Sequence, residues 1–320
     1  MNIFINQKES YMKKISILVL ATVLTVPAFA KSAPATNKKV TSESVATQTM
    51  ENVAQNTKQT RNPKTKFPRG LQLGLGLSPT SGVNGFVGYN NKNFDSFWWK
   101  RLGVRFDFAS YSPIRNTVNQ KINDSMGEKG IEIEKDLHIN DVALDANHYG
   151  AIVDFYPFGD TWFLGGWRLS GGYMTGKLNV DGKIHGENIG GNIEFELDGN
   201  KYYYTGGEMH GTADVNWKYS GPYLGTGFDL GLFWGFKIFM DAGVVFAGSS
   251  AQAGLDVPLD GLTDNNGTPI TVPTSTSPQV VIDAYNAFMD AKDAELRKAQ
   301  DELDKYKYFP LVKIGFMYRF

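Results

Sequence analysis

Nine charged side chains stand at alternate positions within otherwise apolar or glycine-rich stretches. They are Arg105, Asp107, Asp154, Arg168, Asp229, Lys237, Asp241, Lys313 and Arg319. In an extended chain, residues two apart share a face, so each ion faces away from a row of large apolar neighbours. Five cations and four anions nearly cancel. Enclosed in a poorly hydrated space, an unpaired charge costs several kcal/mol; the pattern therefore predicts mutual pairing that fills a lumen. A polar permeation path is the alternative. His148, with Asp154 and Ser170 on the same inward faces, would make an acid–base set, although a hydrogen-bonded lumen histidine is the plainer reading. His138, His185 and His210 fall in or beside loop-like stretches and lack the close spacing of a zinc site.

Other chemistry finds little support. The chain has no cysteine, so thiolate metal sites, disulfides and cysteine nucleophiles are excluded. Gly74-x-Gly76 and Gly225-x-Gly227 lie inside strand-like segments and do not continue as a dinucleotide fingerprint. Asp264-Asn265-Asn266-Gly267 resembles half a calcium loop, but Leu262 occupies the position of the first ligand. The expectation is no catalytic residue, no metal and no cofactor.

The elements that must hold these charges follow from period and composition. Glycine numbers 35 of 320 residues, aromatics make up 13%, and charged residues only 20%, a balance that argues against helical bundles and wholly disordered chains. With 32 basic and 33 acidic side chains there is no global basic field, and nucleic acid is not an expected partner.

Eight segments alternate apolar and polar residues. Leu71–Leu77 is the first, followed by Val83–Tyr89 and Leu102–Phe108. Segments near 143–156, 167–173, 222–229, 236–246 and 309–320 complete the set. In each, one face is greasy and the other small or ionic, as a lipid-facing strand requires. Connectors alternate between short and long, with long ones near 113–140, 175–219 and 248–307. Outer-membrane barrels join their strands in this way, with short periplasmic turns and long external loops.

Residues 12–30 carry Lys13 and Lys14, an apolar stretch and Ala28-Phe29-Ala30. These are the three parts of a secretory signal peptide, so 1–30 are assigned as leader. Residues 31–68 hold seven Lys/Arg against two Glu and few large apolar side chains. They are assigned as a disordered basic periplasmic lead-in. Within 175–219, Lys177–Ile184, Asn192–Leu197 and Lys201–Tyr204 are strand-like, and Asp181-Gly182 and Asp198-Gly199 are hairpin signals. The expectation is strands prolonged beyond the bilayer, with a projecting hairpin. Ser277-Pro278 reads as a helix cap followed by proline at the first position. Val281, Ala284, Phe288, Ala291, Leu296, Ala299 and Leu303 then recur at helical spacing. A helix over about 278–306 is expected, with Asp293–Arg297 and Asp301–Lys305 pairs, ended by Pro310.

The chain end carries a resemblance. Lys313-x-Gly315-x-x-Tyr318-x-Phe320 is similar to the C-terminal β-signal of Gram-negative outer-membrane barrels. That likeness implies recognition by the barrel-assembly machinery, with periplasmic chaperones on the way. The segments IVDFYPFG (152–159), GPYLGTG (221–227) and the closing KYKYFPLVKIGFMYRF resemble an uncharacterised family of proteobacterial outer-membrane proteins, small OmpA/OmpW-like eight-stranded barrels. The family implies no activity.

Together these features predict an all-β chain: an eight-stranded antiparallel up-and-down transmembrane β-barrel spanning 69–320, with a long amphipathic helix in its last external loop. It would sit in the bacterial outer membrane among lipid and lipopolysaccharide, with a structural or surface-interaction role carried by separable loops. A small passive channel, a lipid-active enzyme and a soluble lipocalin-like ligand-binding barrel are the alternatives.

Overall fold

The structure is a computed structural model that describes residues 69–320 apart from 128–129, 135, 160, 162–163 and 188–190. The leader and lead-in assignments lie outside the described residues.

Alternation of apolar and polar residues makes strands of β1 (Leu71–Ser78), β2 (Gly82–Tyr89) and β3 (Leu102–Ser110). Three much longer strands follow: β5 (Leu137–Phe155), β6 (Trp167–Gly186) and β9 (Met209–Gly231). Then come β10 (Phe236–Phe246) and β13 (Tyr308–Arg319). All pair antiparallel, and the pairings run β1–β2–β3–β5–β6–β9–β10–β13 and back to β1. Among the described residues, each of these eight strands therefore has a paired neighbour on both edges. Connections at one end are 90–101, 156–166 and 232–235, with single 3-10 turns at Trp99–Arg101 and Leu164–Gly166; those at the other carry the additional strands and α-helices.

The prolonged upper halves of β5, β6 and β9 form a sheet that projects from the ring. A short strand β4 (Ile131–Glu134) pairs with β5, and β11 (Gln252–Asp256) pairs with β9. A separate small sheet contains the hairpin β7 (Ile193–Leu197) and β8 (Asn200–Tyr204), with β12 (Leu262–Asp264) alongside β8. The β7–β8 turn is Asp198-Gly199, both at positive φ (47° and 81°), the two-residue turn that suits hairpin twist. Two helices cover the projecting sheet, α1 (Arg115–Met126) and α2 (Gln279–Leu303).

Several expectations change. The strand-like pieces expected within 175–219 are present as the upper part of β6 and the β7–β8 hairpin, whereas the 113–140 segment, expected as loop, contains α1 and β4. Asp181-Gly182 makes no turn, because both residues lie inside β6 and pair with Asp214 and Ala213 of β9. Helix α1 has no counterpart among the expected elements: its pattern is weakly apolar, and Asn119 and Asn123 hold it by accepting the Leu144 and Val142 backbone N–H groups (3.0 and 2.8 Å). These bonds serve β5 where its pairing with β6 slips between Asn140 and Ala143. Helix α2 starts without the Ser277 cap, whose hydroxyl instead accepts from the Thr274 N–H at 2.9 Å. Lys305 pairs with Glu302 rather than Asp301. The helix stops at Leu303, and Pro310 lies inside β13, opposite Val244.

Along the long strands, the chemistry of the two faces inverts at one level. In β6 the outward residues are Trp167, Leu169 and Tyr173 low on the strand, then Lys177, Asn179, Asp181 and Lys183 above. The inward series runs from Arg168 and Ser170 to Leu178, Val180 and Ile184, all buried. β9 repeats this, with Phe228 and Leu224 outward below, and Lys218, Asn216 and Asp214 outward above. A contiguous buried cluster joins Tyr223 and Leu311 inside the ring to Val180, Trp217 and Phe288 in the projecting part.

Candidate functional site: the filled interior of the ring

The alternation places every one of the nine sequence-identified charges on the inner side of the ring, and seven of them meet. Arg105 donates from Nη1 to Asp241 Oδ2 at 2.8 Å. Its Nε lies 3.2 Å from Asp154 Oδ2 and 3.5 Å from Asp107 Oδ1. Arg168 donates from Nη2 to Asp241 Oδ1 at 2.7 Å and forms an ion pair with Asp229. Its Nε stands 3.6 Å from Asp154 Oδ1. Lys313 donates to Asp107 Oδ2 at 2.7 Å. Asp154 also accepts from the Ser170 hydroxyl at 2.5 Å, and Asp229 from the Tyr156 hydroxyl at 3.1 Å. Asp241 is thus the hub, with one oxygen for each arginine. All seven ions are buried.

Lys237 and Arg319 depart from the expected network and stand toward the inner mouth. Arg319 donates to the Asn90 backbone carbonyl at 2.6 Å and to the Asn90 side-chain oxygen. Lys237 has no carboxylate partner among the described residues. The network therefore holds three cations and four anions, and the two hydroxyl donors share the extra negative charge. Between mouth and network, Phe86, Phe239 and Met317 form a small apolar layer, with the Arg105 guanidinium 5.5 Å from the Phe86 ring centroid.

Above the network is a feature the sequence reading missed. Tyr223 is buried inside the ring, and its ring lies where side chains on Gly225 and Gly243 would stand. Only glycine at those two positions leaves that space. Higher still, Tyr219 stacks on Phe309 at 4.2 Å between centroids, and Trp217 packs edge-on against Phe309 at 5.4 Å. The Trp217 indole N–H donates to the Ser249 carbonyl at 2.8 Å. These aromatics pack together beyond Tyr223, at the end of the ring that carries the projecting sheet. Tyr223 lies within the expected strand 222–229, on its inner face; Trp217 and Tyr219 continue its alternation, but polar residues stand between them and the expected strand does not reach them.

The proposed His148 set does not assemble. His148 is fully buried, and neither ring nitrogen has a hydrogen-bond partner among the described residues. Ser170 donates to Asp154 instead. The C-terminal residues are placed structurally: Lys313 is in the network, and Gly315 faces Gly76 across β1. Tyr318 packs edge-on with Phe236 (4.9 Å) and Phe320 (4.8 Å). The Phe320 N–H donates to the Leu71 carbonyl, tying the chain end to β1.

No family model matches the chain, and a search of curated proteins finds no match. Among solved structures, the chain is similar to Acinetobacter baumannii CarO at 15% identity and a TM-score of 0.45, over 80% of this chain and 100% of that one. A. baumannii CarO2 gives 17% identity and a TM-score of 0.43 over the same shares. A major outer membrane protein from Thermus thermophilus gives 11% identity and a TM-score of 0.34, over 78% of this chain and 97% of that one.

Proposed function

We propose that the protein is an integral outer-membrane β-barrel of eight strands whose interior is sealed, and that it acts as a non-enzymatic membrane anchor for a rigid external domain. The inversion of face chemistry along uninterrupted strands carries this reading. A continuous strand has no reason to exchange an apolar for a polar outer face unless the surrounding solvent changes. Lipid below and water above is that change. A soluble ligand-binding barrel would need the ionic face outside throughout.

The dimensions agree. Exposed aromatics flank the apolar band: Trp98, Trp99, Trp234 and Phe320 at the inner end, and Tyr149, Tyr173 and Tyr308 toward the other. Such belts mark both interfaces of membrane proteins. β10 spans the band in 11 residues; at roughly 3.3 Å per residue and a tilt of about 40° its height is about 25 Å, that of a barrel's apolar belt. In this reading the Lys313, Gly315, Tyr318 and Phe320 signal is read by the barrel-assembly machinery before β13 closes on β1. The sealed interior argues against conduction, because the charges are paired and aromatic rings fill the space above them.

Two measurements test this. Phe106 and Ile238, but not Arg105 or Lys237, should react with a bilayer-confined photoreagent when each position is probed. Purified protein in planar bilayers should give no unitary current steps. Reproducible steps from the unaltered chain would replace the anchor reading with that of a channel.

A further inference from the structure

On the water-facing side of the projecting sheet, three histidines distant in sequence share one rung: His138 on β5 is opposite His185 on β6, which is opposite His210 on β9. Antiparallel pairing brings them together, which is why their sequence spacing gave no sign of it. Two are oriented toward each other. The Nδ1 atoms of His185 and His210 are 3.3 Å apart, with ring centroids at 5.0 Å. Their other nitrogens point at carboxylates, His185 Nε2 at Glu187 Oε1 (2.9 Å) and His210 Nε2 at Glu208 Oε2 (3.5 Å).

A carboxylate only accepts, so Glu187 draws a proton to His185 Nε2, and in the neutral ring the Nδ1 lone pair is then aimed at His210 Nδ1. At 3.3 Å the two Nδ1 atoms can share one proton or, with both lone pairs turned inward, one metal cation. Zinc–imidazole bonds of about 2.0–2.1 Å at a tetrahedral angle separate the two nitrogens by roughly 3.3 Å. Carboxylate, imidazole and metal in series is also the usual way a ligating histidine is oriented. His138 flanks the pair, its Nδ1 buried and without a hydrogen-bond partner among the described residues.

We propose that His185 and His210 form a two-histidine clip for a divalent transition metal of the zinc class, oriented by Glu187 and Glu208. Imidazole ligands select such ions over calcium or magnesium. Among the described residues no group of three His, Asp or Glu converges on one point, so water completes the coordination. The inference rests on the pairing of the projecting sheet and not on the membrane reading.

The test uses the full chain, folded in detergent and stripped with chelator. Co2+ is titrated in while its ligand-field absorption is followed, and Zn2+ is then added in competition. One saturable site is expected per chain, displaced by Zn2+. His185→Ala and His210→Ala should each abolish the signal while retaining heat-modifiable gel migration. Glu187→Gln should weaken binding about 10- to 100-fold. His210→Asn provides a second exposed substitution should either alanine variant misfold. Absence of saturable binding to the unaltered chain would overturn the proposal, as would binding unchanged in folded His185 and His210 variants.

Discussion

Asp241→Leu separates a dry, paired interior from a hydrated one. Asp241 is 3% exposed and receives one hydrogen bond from each of two arginines, at 2.8 and 2.7 Å. A hydrogen bond to a charged group is worth about 1.5–3 kcal/mol, so two predict a loss of about 3–6 kcal/mol. Removal of one partner from a buried ion pair costs about 3–5 kcal/mol, and about 4 kcal/mol satisfies both. That is nearly a thousandfold in the folded-to-unfolded ratio, at roughly 1.4 kcal/mol per decade. Overall charge balance works in the opposite sense, because the substitution leaves three cations facing three anions. If bulk neutrality governed the interior, Asp241→Leu would be neutral or stabilising. If water filled it, the charges would be screened and the pair would be worth about 0–1 kcal/mol. The assay is urea unfolding of vesicle-inserted protein, followed by tryptophan fluorescence and by heat-modifiable migration. Asp241→Asn keeps one carbonyl acceptor and should lose about half as much. A loss below about 1 kcal/mol for Asp241→Leu would refute the paired-interior reasoning.

Two predictions concern the projecting part. Asp214 lies opposite Asp181 in the β6–β9 register, and burial, with the Asp181 charge second, raises its carboxyl above the usual value despite the Asn216 hydrogen bond. A carboxyl raised in the folded state contributes stability that is present below its unfolded pKa and is lost as pH rises through the folded value. Asp214→Asn should therefore raise the urea midpoint at pH 7 and leave it unchanged near pH 3; no gain at pH 7 would contradict the assignment. Glu295, buried on α2, accepts from the Asp198 N–H (3.2 Å) and from Lys298 (2.9 Å), and so clamps the helix on the β7–β8 turn. Glu295→Ala leaves that turn without its acceptor, at about 1–3 kcal/mol, and should speed hydrogen exchange throughout α2 while leaving the ring strands protected.

The legible part of the sequence was the part bathed in one solvent. Leu73, Leu75 and Leu77, or Val312, Ile314 and Phe316, alternate with small or ionic residues, and that constancy gave the strands, their inner faces and the nine charges. The prolongation of β6 is legible in the strand-like Lys177–Ile184, but the start of β9 as far back as Met209 is not, because a fixed greasy face ends where that face inverts. Lys177 and Lys218 continue the series of Tyr173 and Leu224, but with the opposite polarity. The Asp198-Gly199 turn was legible because its chemistry is local, whereas Asp181-Gly182 carried the same letters and was overruled by long pairing on both sides. Helix α1 was hidden by its few apolar residues, and the His185–His210 contact by register, which single-chain spacing does not encode. Arg319 and Lys237 had the right parity, but parity gives the side of a strand and not the depth within it.

The shared core changes what the outer segments can be. The external loops are expected to be separable modules, yet Trp217 and Tyr219 belong to the 175–219 segment and, in the proposed sealed barrel, also form its outer stopper. The cluster that includes Phe288 on α2 continues without a break to Tyr223 and Leu311. Removing 187–208 excises only the β7–β8 hairpin and leaves that aromatic stopper in place. Removing 175–219 takes away the stopper and bares Phe309, while keeping the lower parts of β6 and β9 that close the pairing around the ring. Both shortened chains should still insert and migrate heat-modifiably. Only the longer deletion should pass small ions, with Tyr223 and the charged layer as the remaining constriction, and Tyr223→Ala in that background should increase the current further. If both deletions are equally silent, the seal lies wholly in the ion-paired layer; if the hairpin deletion alone conducts, the aromatic stopper has been misassigned.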